Sequence, residues 1–405
     1  MSRSLSHAAY MAYARRGAPS APCPECPRPE GELVWAHAAD DARAGALCQI
    51  ADRLRQQRKN LHFLITLSPG VTSSGAVAAN ITLHDLPPDT VASCEAFLDH
   101  WLPDLCLWTG GDLRPALLTC ADDRAIPLYL IDADESQLDR TSWRWFPDLP
   151  RSILQRFAQI QSRSEEAARI LRRIGVQDAD ITITGPLRRE ALPLPCNTVE
   201  REEIAQILLG RPIWLAAHLR TQELDIILSA HRKVSRLSHR LILVIAPQDA
   251  AEGDMIRAAL QARDLRVACW SEGQMPIETT QIILAEGAQD LGLWYRLAPV
   301  CLLGNSLVSG LTGSDPNEAA SLGSAILYGP HMRDYLPDYS RYAEARAARI
   351  VRDTDTLAAA LEHLIAPDQA ALMVHSAWDI ASRGAEVTDR ILALIQDTLD
   401  VLDCR

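Results

Sequence analysis

Positive charge is scarce in this sequence. Its 405 residues carry 40 Lys and Arg against 52 Asp and Glu, which gives a net charge of −12. A protein that grips nucleic acid needs a concentrated basic face to displace counterions, so this balance argues against nucleic acid as a partner. The sequence also has no apolar run of about eighteen residues, and this excludes a transmembrane helix. It contains no G-x-S-x-G elbow, Walker loop or H-E-x-x-H motif, so no motif supports a function as a hydrolase or nucleoside triphosphatase.

Regular cysteine spacing is absent as well. Most of the ten cysteines lie in apolar runs, where a thiol behaves as a small hydrophobe, and this fits a reducing cytoplasm. Cys23 and Cys26, in PCPECP, have the spacing of half a zinc ribbon, but no second pair exists and the flanking prolines indicate a proline-rich loop. We therefore expect neither a metal nor a cofactor.

The first 30 residues are weakly apolar and include Arg15 and Arg16, but they lack the continuous apolar region of a secretory signal. Two interpretations stay open for this N-terminal segment, residues 1–30. It either rests on a membrane surface or forms an ordinary helix.

The rest of the chain alternates apolar, strand-like runs with amphipathic, helix-like stretches. This alternation predicts an α/β protein whose parallel sheets are covered on both faces. Prolines interrupt the pattern after ITITG, so the sequence predicts two doubly wound domains. The expected boundaries are a first domain at 31–185, a linker at 186–210, a second domain at 211–365 and C-terminal helices at 366–405.

The stretch GSDPNEAAS, residues 313–321, has the form of a loop that leads into a helix. Asp315 is the expected N-cap and Pro316 the first helical residue. Glu318 then has two interpretations. It either completes a capping box with Asp315, or its carboxylate accepts hydrogen bonds from the two hydroxyls of a nucleotide ribose while the helix end faces phosphate.

Several segments together resemble the 3-deoxy-D-manno-octulosonic acid (Kdo) transferases, which move Kdo from CMP-Kdo to lipid A. The resemblance runs through RPIWLAAHLRTQELDIILSAHRK (211–233), LILVIAPQD (241–249), TGPLRRE (184–190) and, most strongly, residues 300–331. Weaker matches, such as LVWAHAADD and IPLYLIDAD, extend it over nearly the whole chain. The family fold is GT-B, with two Rossmann-like domains that face a central cleft and the donor nucleotide on the C-terminal one.

The resemblance implies a donor site in the second domain, where Glu318 would bind the ribose and the preceding loop would wrap the donor. His218 and Arg220 follow a predicted strand and are candidates to meet the donor's carboxylate or phosphate, although a satisfied loop histidine is the simpler interpretation of His218. The candidate nucleotide-sugar-binding residues are Gly304, Ser306, Gly313, Ser314, Asp315, Asn317, Glu318, His218 and Arg220.

The sequence departs from the family pattern at the catalytic base. Family members carry a glutamate shortly after the His-Ala of the first strand, and this chain has Arg43 in that register. An arginine stays protonated and cannot act as a base. Asp40 and Asp41 are the candidate catalytic residues in its place, and the competing interpretation makes both of them charges at the start of a helix.

The resemblance implies an inverting, metal-independent transfer of a CMP-activated 3-deoxy sugar acid to a lipid A-type acceptor. The expected location is the cytoplasm, with peripheral contact at the cytoplasmic face of the inner membrane. Two alternatives stay open: a non-catalytic GT-B paralogue that binds nucleotide or regulates a partner, and a transferase with another donor or acceptor.

Overall fold

The computed structural model describes residues 4–16, 26–71, 78–138, 146–189, 194–208, 210–263 and 265–403. Its strands are β1 (Glu32–Ala38), β2 (Leu61–Leu67), β3 (Ile81–Asp85), β4 (Leu105–Thr109), β5 (Leu128–Ala133), β6 (Gln159–Ser162), β7 (Ile181–Ile183), β8 (Ile213–Leu219), β9 (Ile242–Pro247), β10 (Val267–Cys269), β11 (Ile282–Leu284), β12 (Val300–Leu303), β13 (Ala325–Tyr328) and β14 (Ala348–Ile350). Its helices are α1 (Leu5–Ala14), α2 (Asp41–Arg55), α3 (Val91–Trp101), α4 (Pro115–Asp123), α5 (Glu135–Leu138), α6 (Leu149–Leu154), α7 (Glu165–Ile174), α8 (Thr198–Leu208), α9 (Leu224–Ser235), α10 (Ala250–Gln261), α11 (Leu291–Leu297), α12 (Pro316–Leu322), α13 (Leu336–Glu344), α14 (Thr354–Leu364) and α15 (Pro367–Asp403).

The first compact unit comprises Met1–Glu190 and Arg383–Arg405. Its seven strands form a parallel sheet in the order β3-β2-β1-β4-β5-β6-β7. Apolar side chains cover both faces of the sheet, and this explains why most of its interior strands are largely apolar. The strand order reverses between β1 and β4, which is the position where open α/β sheets bind ligands.

The second unit, Ala191–Ser382, repeats this architecture. Its parallel sheet has the order β10-β11-β9-β8-β12-β13-β14, with apolar clusters on both faces. The order reverses between β8 and β12, so the second switch point lies where these two strands end.

These two sheets confirm the predicted α/β class with two Rossmann-like, doubly wound domains. The sequence pattern did not indicate β6, whose residues include two glutamines, or the three-residue edge strand β14. The expected linker at 186–210 contains helix α8, and the expected C-terminal helices at 366–405 are the single long helix α15. Helix α15 begins in the second unit and ends in the first.

Helix α1 covers part of the N-terminal segment and packs on the first unit. Met11 and Ala14 are buried, and the hydroxyl of Tyr10 donates to Asp89 at 2.7 Å. Leu5 and Tyr13 point outward and are 85% and 72% exposed. Among the described residues, no helix is both long and apolar enough to cross a membrane.

The cysteine prediction concerns a segment that is only partly described. Cys23 lies outside the described residues, whereas Cys26 is a free, exposed thiol. Within the described ranges, no group of three or more His, Cys, Asp or Glu side chains could hold a metal ion.

Candidate functional site

A β-bulge at the end of β8 directs His218 toward the second switch point. The register between β8 and β9 shifts after Ala216, and His218 adopts a left-handed backbone with a φ of 54°. Such a conformation is uncommon for a residue other than glycine, and bulges of this kind often direct a side chain into a functional site. Gly304 follows β12 at the same point, and a Cβ on it would lie 2.8 Å from the carbonyl oxygen of His218. Only glycine allows the two strand ends to approach so closely.

Two reciprocal hydrogen bonds hold the loop between β12 and α12. The N–H of Gly313 donates to the carbonyl of Asn305 at 2.7 Å, and the amide of Asn305 donates to the carbonyl of Gly313 at 2.9 Å. Ser314 donates to the carbonyl of Gly304 at 3.1 Å. Ser306 is fully buried, donates to a β12 carbonyl and accepts from the N–H of Gly329, so its role is to support the loop.

Asp315 is the N-cap of α12, as predicted. Its carboxylate accepts from the main-chain N–H of Asn317 and from its side-chain amide, each at 2.8 Å. Burial raises the pKa of Asp315, and the Asn317 hydrogen bonds only partly offset this effect. The oxygen of the Asn317 amide accepts from the hydroxyl of Tyr342 at 2.8 Å. Both side chains therefore shape the start of α12.

Glu318 does not form a capping box with Asp315. Its Oε2 lies 3.2 Å from Nε2 of His218, and the carboxylate of Asp315 is engaged by Asn317 instead. The side chains of His218 and Glu318 are 20% and 24% exposed, so the pair is accessible to a ligand. The structure therefore brings together two residues that lie one hundred positions apart and that sequence analysis had proposed separately.

Arg220 is turned toward the start of α10. Its guanidinium lies 3.2 Å from Glu252 and 3.4 Å from Asp249, which is the N-cap of that helix. The side chain is 33% exposed and already has two acidic partners. A ligand phosphate would have to compete with them for Arg220.

Glu223, which no pattern in the sequence singles out, is fully buried at the end of a 3₁₀ turn after β8. Its carboxylate accepts from main-chain N–H groups of the β12–α12 loop. In the sequence, Gln-Glu-Leu resembles an ordinary helix start. The only available signal was an acidic residue just beyond a strand at a switch point.

In the first unit, the candidate Asp40 is the N-cap of α2. Its Oδ1 accepts from the N–H of Arg43 at 2.9 Å, and its Oδ2 accepts from the guanidinium of Arg43. The Asp40 side chain nevertheless remains 45% exposed. Asp41 occupies the first turn of α2 and is exposed. Arg43, in the register of the family glutamate, points into the protein, and its side chain is 3% exposed.

Arg43 forms a buried ion cluster with two aspartates at the end of β5. Its Nε lies 2.6 Å from Asp132 and its Nη2 lies 2.9 Å from Asp134, while Arg163 contacts both aspartates from the end of β6. Burial raises the pKa of Asp132, and the charge of Arg43 partly opposes this. Burial also acts to raise the pKa of Asp134, but hydrogen bonds from Ser136 and Arg43 outweigh it, so this pKa lies below its usual range.

His37, near the end of β1, is fully buried and packs against Trp108, with the ring centroids 4.1 Å apart and the rings tilted by 33°. Burial lowers the pKa of His37 to about 3, while its hydrogen bond to the carbonyl of Thr66 acts in the opposite direction. A neutral, enclosed imidazole supports the structure of the strand end and does not bind a charged ligand.

The sequence comparisons find similarity to one family of transferases. The family model described as 3-Deoxy-D-manno-octulosonic-acid transferase (kdotransferase) matches residues 12–191. A 3-deoxy-D-manno-octulosonic acid transferase of Rickettsia bellii is 22% identical over 371 residues, which are 90% of this chain and 87% of that protein. A probable mitochondrial 3-deoxy-D-manno-octulosonic acid transferase of Arabidopsis thaliana is 26% identical over 320 residues, with coverages of 76% and 71%. Among solved structures, the C-terminal CMP-Kdo binding domain of WaaA from Acinetobacter baumannii aligns with 50% of this chain and 99% of its own, at 21% identity and a TM-score of 0.38.

Proposed function

We propose that this chain, which is similar to Kdo transferases over most of its length, is a glycosyltransferase of that family. It would move a CMP-activated 3-deoxy sugar acid to a lipid A-type acceptor in lipopolysaccharide biosynthesis. The observation that carries this proposal is the pairing of Glu318 with His218 at the switch point of the second sheet. Ligands of open α/β sheets bind at this position. The loop beside the pair is held at both ends by its own hydrogen bonds, so a ligand would meet a prepared surface.

On the donor side, the carboxylate of Glu318 accepts hydrogen bonds from the ribose hydroxyls, and His218 orients this carboxylate. A carboxylate can accept from two adjacent hydroxyls at once. The start of α12 offers little to the phosphate, because Pro316 has no N–H and Asp315 already accepts from Asn317. The main-chain N–H of Glu318 is the remaining donor among the first three helical residues, and we assign the leaving phosphate to it without a metal ion.

On the acceptor side, the proposal keeps Asp40 as the base that removes the proton of the attacking hydroxyl, with Asp41 as the second candidate. Asp40 retains an exposed carboxylate, and Arg43 holds both of its oxygens in a fixed position. A base must come within about 3 Å of the proton it removes, and a fixed carboxylate at the end of a strand can meet that requirement. The reaction inverts the anomeric centre because the hydroxyl attacks from the side opposite the leaving CMP.

The amphiphilic acceptor suggests where the protein works. Leu5 and Tyr13 lie on the outer face of α1, and Arg15 and Arg16 follow at its end. An exposed apolar face beside basic side chains favours weak attachment to an anionic membrane surface. The proposed location is therefore the cytoplasm, at the inner face of the inner membrane.

The buried cluster around Arg43 favours a second candidate function, a non-catalytic paralogue that binds the nucleotide. In this chain, Arg43 occupies the position of the family's base. Its side chain is buried in ion pairs with Asp132 and Asp134 and cannot reach a substrate. Such a protein would bind the nucleotide at the donor site of the second unit and would not catalyse sugar transfer.

Calorimetric titration with CMP tests the donor assignment. Wild-type protein should bind CMP, and Glu318→Gln should weaken binding by roughly tenfold because the neutral amide is a poorer acceptor for two hydroxyls. Glu362→Gln, an exposed substitution on α14 in the same unit, is the matched control and should bind like wild type. Absence of CMP binding by the wild type would contradict the donor assignment, and equal affinity of wild type and Glu318→Gln would exclude the role of Glu318.

A further inference from the structure

Glu223 is a fully buried carboxylate whose hydrogen bonds all go to the main chain. It accepts from the N–H groups of Asn305, Ser306 and Leu307 at 2.7, 2.9 and 2.8 Å, and from that of Arg220 at 3.1 Å. Each carboxylate oxygen receives two of these four bonds. Three of the donors are consecutive residues of the loop that follows β12, more than eighty positions later in the sequence.

These contacts use the full capacity of the side chain. An ionised carboxylate offers about four lone-pair sites, and four N–H groups occupy them. Glu223 is also inaccessible, with 0% exposure, so it cannot touch a substrate. A carboxylate is expensive to bury unless it is hydrogen-bonded, and the three loop N–H groups would be left without partners if it were removed. Any role of Glu223 in function must therefore act through the loop.

The loop connects Glu223 to the candidate nucleotide ligand. Asn305, which has a φ of 56°, exchanges two hydrogen bonds with Gly313. The next two residues after Gly313 lead into α12, which carries Glu318 to within 3.2 Å of His218. A shift of the loop backbone at Asn305 would thus displace the start of α12 and the carboxylate it presents.

We propose that Glu223 is a positioning residue of the donor site, which fixes the backbone of residues 305–307 and thereby sets the distance between Glu318 and His218. This inference rests on the proposed function, since it takes a nucleotide as the ligand of that pair. It assigns to Glu223 an effect on donor binding without any contact with the donor.

The test measures CMP affinity by calorimetry for Glu223→Gln and Glu223→Asp, together with the melting temperature of each variant. The glutamine has one acceptor oxygen, so its NH₂ group faces two main-chain N–H donors, whereas the aspartate keeps the charge on a shorter stem. Glu223→Gln should bind CMP roughly tenfold more weakly, and Glu223→Asp should lie between it and wild type. In steady-state kinetics with Glu223→Gln, the KM for the donor should rise while the KM for the acceptor is unchanged.

Leu208→Ala, a cavity substitution in α8 of the same unit, is the control for lost stability. It should lower the melting temperature without changing the affinity for CMP. If Glu223→Gln and Glu223→Asp both bind CMP as tightly as wild type, the inference is wrong although the proposed function stands. If wild-type protein does not bind CMP, the proposed donor is wrong and this inference falls with it.

Discussion

Replacing Arg43 with methionine should destabilise the first unit by about 3 kcal/mol. Removing one partner of a buried ion pair usually costs about 3 to 5 kcal/mol, because it leaves an uncompensated buried charge. Here the charges left behind are those of Asp132 and Asp134, whose side chains are 1% and 9% exposed. Arg163 still contacts both aspartates, so we expect the lower end of that range. Methionine has nearly the length of the arginine stem, and this limits the loss of packing.

The assay is differential scanning calorimetry of the full chain. For a domain of this size, about 1 kcal/mol shifts the melting temperature by roughly 2 to 4 °C, so the first unit should melt roughly 6 to 12 °C lower. Arg169→Met is the matched control, because Arg169 is 63% exposed and pairs with Glu166 at 2.6 Å on the surface of α7. Such a surface pair contributes about 0.5 kcal/mol at most, so the control should shift the melting temperature by about 2 °C or less.

The effect should also depend on pH with a definite sign. Without Arg43, the pKa values of Asp132 and Asp134 in the folded protein should rise, so the variant regains stability as pH falls and these groups take up protons. The difference between Arg43→Met and wild type should therefore be smaller at pH 5 than at pH 7.5. Arg43→Glu should destabilise more than Arg43→Met, since it adds a third carboxylate beside the two aspartates. A variant that loses no more stability than Arg169→Met would refute the role of the cluster.

Two further predictions concern His37 and the donor loop. Burial lowers the pKa of His37 to about 3, so the unfolded state binds a proton more readily below pH 6.5 and stability falls as pH decreases through that range. Between pH 7.5 and 5, the free energy of unfolding of wild type, measured by denaturant titration, should fall by about 2 kcal/mol more than that of His37→Gln. Equal decreases would contradict a neutral imidazole at His37. Gly313→Ala should weaken CMP binding in calorimetry, because its Cβ would lie 2.8 Å from the main chain of Met332. Gly310→Ala has a nearly identical φ but no atom within 4 Å, so it should bind CMP like wild type, and similar affinities of the two variants would exclude this steric argument.

The sequence predicted the two sheets because strands buried on both faces are continuous apolar runs. It could not indicate β6, since Gln159 and Gln161 interrupt the apolar pattern there. The sequence indicated Glu318 and His218 as separate candidates, Glu318 from the start of a predicted helix and His218 from the end of a predicted strand. Their contact depends on the adjacency of β8 and β12, which follows from strand order and not from spacing.

The same limit explains what sequence analysis left out around Arg43. The sequence register shows only that Arg43 stands where the family has its glutamate base. Its partners Asp132 and Asp134 lie about ninety residues later in the chain, and they come close because their strand end and the start of α2 meet at one edge of the sheet. Glu223 escaped notice for a similar reason, as its three loop partners follow another strand.

A transfer assay tests the central claim most directly. The purified chain is incubated with CMP-Kdo and a lipid A precursor in mixed micelles, and the product is followed by mass spectrometry. Wild type should form a lipid product heavier by one or more Kdo residues, Glu362→Gln should give a normal yield, and Asp40→Asn and Glu318→Gln should each give a strongly reduced yield. A wild-type protein that binds CMP but forms no product would contradict the proposed transferase and identify the chain as a non-catalytic nucleotide-binding paralogue.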